Sequence, residues 1–386
     1  MDRGPRGFAT SEFQNRVSRA QKMMQDSDLS ALLLTTEPEI RYFTGFLTCF
    51  WESPTRPWFL VVPSSGAPIA VIPAIGAHLM RQTWIADIRT WQAPDYTDDG
   101  IGLLCDVLQE VTGKGGRIGA PDQMESHIHM PLSAFRQLEQ MLLPAQIVGD
   151  DTIMRRLRLI KSDAEIAKIA TACTIANRAF ARVPEIAPAG TPLSAVFRSF
   201  QGLCLAEGAD WVPYLAGAAG PGGYGDVISP ATDTPLAKGD VLMLDTGLVW
   251  DGYFCDFDRN FSLGAPTETV TAGHDRLMAA IQAGYEAAKP GAVASDLFHA
   301  MNDIVNPGGT GSDAGRLGHG LGMQLTEWPS IIAADHTPLV PGMVLTLEPG
   351  VQTGPDRLMV HEENIVITDT GARFLSDFRP AGPRII

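Results

Sequence analysis

Several carboxylates and one histidine interrupt apolar stretches of this chain in a way that a solvated surface does not require. Asp245 follows Val241-Leu242-Met243-Leu244, and Glu348 follows Val344-Leu345-Thr346-Leu347. Asp256 and Asp258 lie inside Tyr253-Phe254-Cys255-Asp256-Phe257-Asp258, and Glu362 and Glu363 precede Asn364-Ile365-Val366-Ile367. His319 sits in Gly318-His319-Gly320-Leu321-Gly322, which reads as a glycine-rich turn where backbone can approach closely. Carboxylate oxygens and an imidazole nitrogen are donors for hard or borderline divalent ions such as Mn, Co, Fe or Zn. These are more donors than one tetrahedral ion needs. They suit a two-metal site, with ions about 3.5–4 Å apart holding a bridging hydroxide as nucleophile.

Spacing sharpens the case around Asp245. Its strand is expected to run out at the acid, with Val249-Trp250-Asp251-Gly252 as a hairpin loop and Tyr253 to Phe261 as the return strand. A four-residue loop sets Asp245 opposite Asp256, and a two-residue Asp-Gly turn sets it opposite Asp258. Either register stacks acids about 5 Å apart, which is destabilising without a cation. Taken singly, each residue has an ordinary alternative: a strand-end aspartate, a Gly-His-Gly loop, or solvent-facing Glu362 and Glu363. Taken together they favour metal binding.

The elements that must position these groups occur twice. Lys238-Gly239-Asp240-Val241-Leu242-Met243-Leu244-Asp245-Thr246-Gly247 matches Pro341-Gly342-Met343-Val344-Leu345-Thr346-Leu347-Glu348-Pro349-Gly350, with Gly239 and Gly342 103 residues apart. Upstream, Gly190, Ser194 and Phe197 match Gly291, Ser295 and Phe298 at a spacing of 101. Two copies of a helix–helix–strand unit predict a duplicated domain with a pseudo-twofold axis. Its return strand in the second copy is expected over 358–367.

Ahead of the repeat, residues 12–150 alternate apolar runs with helical patterns. Ala31–Leu34 and Phe59–Val62 read as strands, and Glu12–Asp26 and Leu103–Val111 as helices, giving an α/β domain. The basic stretch Arg155–Lys161 leads into Ser162-Asp163-Ala164-Glu165, a capping box that opens a helix to about Arg182. The expected division is a domain over 1–152 and a second over 153–386.

Composition narrows the partners. The 386 residues carry 29 Lys+Arg against 44 Asp+Glu, a net charge of −15, which disfavours nucleic acid and anionic membrane surfaces. Five scattered cysteines without CxxC spacing argue against a disulfide framework and fit a reducing cytoplasm. Met1 to Arg6 begins no apolar signal segment. Trp58–Met80 lacks charge, but Pro63, Pro68, Pro73 and Ser64-Ser65-Gly66 make it two buried strands and a turn, not a membrane span.

At these residues the chain resembles the creatinase/aminopeptidase P/methionine aminopeptidase superfamily, the pita-bread metallopeptidases of family M24. The resemblance spans nearly the whole chain. It includes Glu39-Ile40-Arg41-Tyr42-Phe43-Thr44-Gly45-Phe46, the linker Leu157-Arg158-Leu159-Ile160-Lys161-Ser162, and the segment from Pro341 to Gly350. It implies a creatinase-type N-terminal α/β domain, then a pita-bread domain. It assigns two divalent ions, manganese first, to Asp245, Asp256, His319, Glu348 and Glu362. It also favours the four-residue hairpin loop, because the family's two aspartates are eleven residues apart, as here. It further implies a Xaa-Pro peptidase or prolidase type of hydrolase, with Glu348 as general base, a small peptide substrate and a homodimer.

Departures from the family pattern keep other activities open. Thr326 stands seven residues after His319, where the peptidases carry a histidine that binds substrate and moves protons. A second family histidine would fall near Ile228, and Val360 replaces an arginine two residues before Glu362. Threonine donates a hydrogen bond but does not titrate near neutrality, so Thr326 is a catalytic candidate of a different kind. His361 is expected on the strand face away from Glu362. Glu327-Trp328-Pro329 resembles the dimethylsulfoniopropionate lyase branch, although Gly247 stands where that branch has a further aspartate. The alternatives are therefore a lyase acting on a small zwitterion, a creatinase-like amidino or amide hydrolase, and a metal-stabilised binding module. His127-x-His129 reads as surface.

Overall fold

Short apolar runs bounded by Pro and Gly become strands because they can be covered on both faces. In the computed structural model, which describes residues 5–53, 56–113, 115–309, 315–379 and 382–386, Ala31–Leu34 (β1) and Phe59–Pro63 (β2) are buried at every position. They join Ile69–Pro73 (β3), Asp87–Trp91 (β4), Arg117–Ala120 (β5) and Gln146–Gly149 (β6) in a mixed sheet of order β4-β3-β2-β1-β5-β6. The uncharged Trp58–Met80 segment thus supplies β2 and β3, and no described helix is long and apolar enough to cross a membrane. Leu104 and Leu108 of the helix Ile101–Thr112 close the core over Phe59, Val61 and Val71. The polar start Met1–Gly4 lies outside the described residues.

The chain divides into two compact units at Arg158/Leu159. Most of the helix Ile153–Leu159 therefore belongs with the first unit, so the division falls one helix beyond the expected 152/153. The second unit opens on the helix Asp163–Ala181. Its capping box forms as expected: Glu165 N–H donates to Ser162 Oγ at 3.4 Å, and Ser162 N–H donates to Glu165 Oε2 at 2.9 Å.

Two antiparallel-rich sheets carry the repeat. The first joins Trp211–Pro221 (β7), Asp240–Trp250 (β8), Tyr253–Phe254 (β9), Phe257–Ser262 (β10) and, from the end of the chain, Arg384–Ile385. The second joins Gly318–Gly320 (β11), Glu327–Ser330 (β12), Val344–Leu347 (β13), Glu363–Ile367 and Ala372–Phe374, with Gly350–Gly354 (β14) and Arg357–Val360 (β15) as a separate ribbon. Continuing in chain order, Glu363–Ile367 is β16, Ala372–Phe374 β17 and Arg384–Ile385 β18. Met243, Leu345 and Ile365 from these strands share one core with Leu277 and Ile281 of the helix Glu268–Ala287 and with Met301 of the helix Ala294–Val305.

Backbone geometry repeats as the sequence does. Gly190 and Gly291 are left-handed, at φ 90° and 88°, and their N–H groups donate to Leu236 O and Leu339 O. Gly239 and Gly342 repeat at φ 96° and 92°. Leu193 N–H reaches Thr234 O, and Ala294 N–H reaches Thr337 O. The duplicated half-unit is thus written into equivalent turns as well as apolar strands.

Four local expectations are corrected. The strand does not run out at Asp245, because β8 continues, fully buried, to Trp250. The hairpin loop is the two-residue turn, not the four-residue one: Asp251 and Gly252 have φ 48° and 79°, Trp250 pairs with Tyr253, and Asp245 pairs with Asp258. Positive φ at both turn positions matches the strand twist, which is why Asp-Gly prevails. His319 is not in a turn. It lies on β11, paired with β12 and β13, and a Cβ at Gly320 would fall 2.0 Å from Trp328 O. Lastly, both return strands are broken, at Cys255-Asp256 and at His361-Glu362.

Candidate metal centre

Those two breaks are where the second acid of each copy sits. Asp256 lies between β9 and β10, Glu362 between β15 and β16, and neither peptide is committed to a strand ladder. Asn364 of β16 fixes the first break from across the pseudo-twofold: its Oδ1 accepts from Asp256 N–H at 3.0 Å, and its Nδ2 donates to Asp256 O at 2.5 Å. Arg259 does the reciprocal task, donating to Glu362 O at 3.0 Å and to Asp258 O at 2.7 Å while pairing with Glu363 at 3.1 Å. Each copy therefore holds the other's interrupted strand.

The five expected ligands converge in two overlapping groups. Donor atoms of Asp256, His319 and Glu348 lie within 4.8 Å of one another, as do those of Asp245, Asp256 and Glu362. Asp256 belongs to both. His319 Nδ1 lies 2.7 Å from Gly320 O, an acceptor, so Nδ1 carries the proton and Nε2 turns its lone pair to the acids. That nitrogen is 2.8 Å from Glu348 Oε1 and 3.3 Å from Asp256 Oδ2. A lone pair against two carboxylates is repulsive unless a proton or a cation lies between them.

Charge strain runs through the whole cluster. Burial, then repulsion from Asp256, Asp258 and Glu348, raises Asp245 far above the ordinary carboxylate range. Burial, then Asp245 and Glu348, does the same to Glu362. Asp256 rises to about 6 through burial, with His319 holding it down. Burial works against charge on His319, but Glu348 and Asp256 outweigh it and lift the imidazole to about 10. For Glu348 burial also acts upward; His319 and Arg316 prevail and leave it below the usual range. Asp245 Oδ1 is buried without a hydrogen-bond partner among the described residues. These donors fit divalent cations, which would neutralise the repulsion and occupy the orphaned oxygen.

Other residues reach the centre besides the five expected ligands. Tyr214 on β7 lies beside the cluster and is pushed upward by its burial and by the charges of Asp245 and Glu362. Asp258 faces Asp245 across the ladder, wholly buried, with Asn260 Nδ2 donating to its Oδ2 at 2.9 Å. Arg316 acts electrostatically on Asp256 and Glu348 and donates to Thr326 Oγ1 at 3.3 Å. Thr326 is thus linked to the centre through a cation. An Arg three residues before a candidate histidine was the available signal for Arg316; Tyr214 offered none.

Several sequence candidates lie elsewhere. Ile228 is 80% exposed, in a loop capped by Asp226. His361 points to Glu363 at 3.0 Å, as alternation predicts, and Glu363 is completely buried, so the solvent-facing alternative fails for it. Glu327 is also buried, paired with Lys161 at 3.1 Å and accepting from Met323 and Gln324 N–H at 2.9 and 3.2 Å. The Glu-Trp-Pro motif therefore anchors the loop between His319 and Thr326. His127 is exposed and His129 half-buried.

Comparison with known proteins agrees with this architecture. Residues 16–160 match the creatinase/prolidase N-terminal domain, and residues 167–369 match metallopeptidase family M24. The chain is 30% identical over 374 residues to the probable dipeptidase PepE of Mycobacterium tuberculosis, covering 96% of both. It is 24% identical over 364 residues to a Xaa-Pro dipeptidase of Pyrococcus horikoshii, covering 94% of this chain and 96% of the relative. The structure of dipeptidase PepE from Mycobacterium ulcerans superposes with TM-score 0.83 at 27% identity, over 98% and 99% of the two chains. A prolidase from Thermococcus sibiricus shares the fold, with TM-score 0.86 at 22% identity over 98% and 100%. The chain belongs to metallopeptidase family M24 and is a hydrolase of the creatinase/prolidase type.

Proposed function

We propose that this chain is a dinuclear-metal-dependent peptidase that cleaves a dipeptide of the Xaa-Pro kind. The membership of Asp256 in both donor groups carries this proposal, because one carboxylate shared by two sites is what a pair of adjacent ions requires. Asp245 and Glu362 would complete one site, and His319 and Glu348 the other. The mainly oxygen donor set favours manganese. When bound, the ions polarise the scissile carbonyl and make water a competent nucleophile near neutral pH.

The protein's own groups divide the remaining work. Glu348 has one oxygen, Oε1, beside His319, and its other oxygen takes a proton from the attacking water and returns it to the leaving nitrogen. Accepting from Arg316 leaves the Thr326 O–H to donate to the substrate oxygen, in place of a titrating histidine. The dipeptidase names of the relatives support this substrate class. The lyase alternative loses its motif, since Glu327 is engaged by Lys161 and two backbone N–H groups.

The test is metal analysis followed by hydrolysis of a small panel of Xaa-Pro and other dipeptides. Two ions per chain and release of free amino acids are expected, both lost in Asp256→Asn. A protein that holds two ions but cleaves no peptide, and eliminates from a sulfonium or betaine zwitterion instead, would overturn the peptidase assignment.

A further inference from the structure

Strand alternation gives the metal-bearing strands a second face. Asp258 and Glu362 turn toward the centre, while Arg259 and Glu363 turn away into a separate cavity of about 230 Å³. This cavity also receives His361, Asp377, Arg379 and Arg384. Three guanidinium groups therefore face two carboxylates.

The pairing within it is incomplete. Arg259 is saturated by Glu363, by Asp258 O and Glu362 O, and by Asp377 O at 3.3 Å. Arg379, at the rim, pairs with Asp377 at 2.6 Å. The Arg384 side chain is half-buried and has no hydrogen-bond or ion-pair partner among the described residues. Burial and the charges of Arg259 and Arg379 work against it. Asp377 and Glu363 act the other way without offsetting this, and a guanidinium held without a bonded anion is costly there.

His361 specifies that anion further. Glu363 accepts from Arg259 at 3.1 Å and also from the Ser376 hydroxyl, so it is the acceptor toward His361 Nε2, which carries the proton. Nδ1 is then a bare lone pair, buried and without a partner among the described residues, in a side chain 7% exposed. The cavity thus offers fork-shaped N–H donors and a buried acceptor at His361 Nδ1, with the His274 ring also in its lining. A ligand that answers both is a tetrahedral oxyanion carrying its own O–H.

We propose that this cavity binds hydrogenphosphate, with Arg384 as its principal anchor, Arg379 at the rim and His361 Nδ1 accepting the P–O–H proton. Sulfate, which has no proton at neutral pH, fills the same volume but leaves the imidazole acceptor unmatched. Free phosphate keeps a P–O–H at neutral pH, whereas a phosphate monoester, with a second pKa of about 6, has mostly lost it.

The experiment is a thermal-shift and calorimetric titration of metal-loaded protein with inorganic phosphate, a phosphate monoester and sulfate, at constant ionic strength held with chloride. It is repeated on chelator-treated protein and on Arg384→Met. Saturable binding of phosphate below about 1 mM is expected, roughly tenfold tighter than sulfate, which corresponds to about 1.4 kcal/mol. It should persist after chelation and disappear in Arg384→Met with metal content unchanged. If that variant does not fold, Arg384→Lys keeps a point charge without the fork and should bind at least fivefold more weakly. Weaker binding of the monoester than of free phosphate is expected at neutral pH, and tighter binding of the monoester would overturn the pairing of His361 Nδ1 with a P–O–H. Binding that survives Arg384→Met, or vanishes with the metals, would place phosphate at the metal centre and overturn the proposal. Sulfate binding equal to phosphate, no shift at all, or saturation only at tens of millimolar, an adventitious ion only, would overturn it too.

Discussion

Asp245 and Asp258 stand directly opposite each other in the β8–β10 ladder, and both are buried. Asp256, two residues before Asp258, is diagonal to Asp245 yet joins its donor group. The acid opposite in register is therefore not one of the five expected ligands. Asp258 is instead a further acid behind them, whose charge on ionising would add to theirs, held by Asn260 at 2.9 Å.

Replacing that charge should stabilise the metal-free protein. Burial is the main reason Asp258 titrates far above the ordinary carboxylate range. An acid with a raised folded pKa loses stability as pH climbs from its unfolded value, about 3.9, through the folded one. Asp258→Asn removes that loss, which amounts to about 1.4 kcal/mol for each tenfold difference in proton affinity between the folded and unfolded chain. Thermal melts of chelated wild type and variant should coincide near pH 4 and diverge toward pH 8, the variant higher. Melts that stay superimposed throughout would refute this.

Metal stoichiometry should follow the shared donor. Asp256→Asn is expected to lose both ions, because the residue serves both groups. Asp245→Asn and His319→Ala should each retain about one ion per chain, their groups being different. Elemental analysis of gel-filtered protein decides this; equal losses in all three would remove Asp256 from its central position.

Much of this was legible in the sequence, for local reasons. Acids ending apolar runs, the duplicated Gly-x-Val-Leu pattern and the Ser162–Glu165 capping box are properties of contiguous residues. The hairpin register was lost because the eleven-residue step between Asp245 and Asp256 suggested direct opposition, whereas the Asp251-Gly252 turn opposes Asp245 to Asp258. The clamps Asn364–Asp256 and Arg259–Glu363 bridge more than one hundred residues between copies. No periodicity names such a partner, since apolar strands of both copies fit many registers.

Metal removal should expose the charge strain of the whole cluster. Asp245, Asp258 and Glu362 all have raised folded pKa values, with burial the first cause. Each then favours the protonated native state, so chelated protein should lose stability as pH rises above the ordinary carboxylate range. Metal-loaded protein should be flatter over the same window, because bound cations hold the acids ionised. Melts in buffer with and without chelator from pH 5 to 8 test it; parallel curves would count against cation binding at these acids.

Thr326 should contribute without titrating. Thr326→Val removes the oxygen that accepts from Arg316 and the O–H offered to substrate. A loss of about 10–100-fold in kcat/KM is expected, the scale of one lost hydrogen bond to a reacting oxygen. The limbs of the pH–rate profile should stay in place, since a hydroxyl carries no proton equilibrium in that range. A displaced limb would show that Thr326 acts through an ionising neighbour.

Lys161 should prove essential to the loop that carries Thr326. Its ammonium and Glu327 are each 2% exposed and 3.1 Å apart. Lys161→Met takes the ion-pair partner from the buried Glu327 charge, a change that costs roughly 3–5 kcal/mol. For a unit of this size that is a fall in Tm on the order of 10 °C. Adding Glu327→Gln should recover most of it, because the amide oxygen still accepts from Met323 and Gln324 N–H and no charge remains unpaired. Calorimetry on the two single variants and the double variant completes the cycle. A double variant as unstable as Lys161→Met would mean that the lysine acts through packing of its alkyl stem and not through its charge.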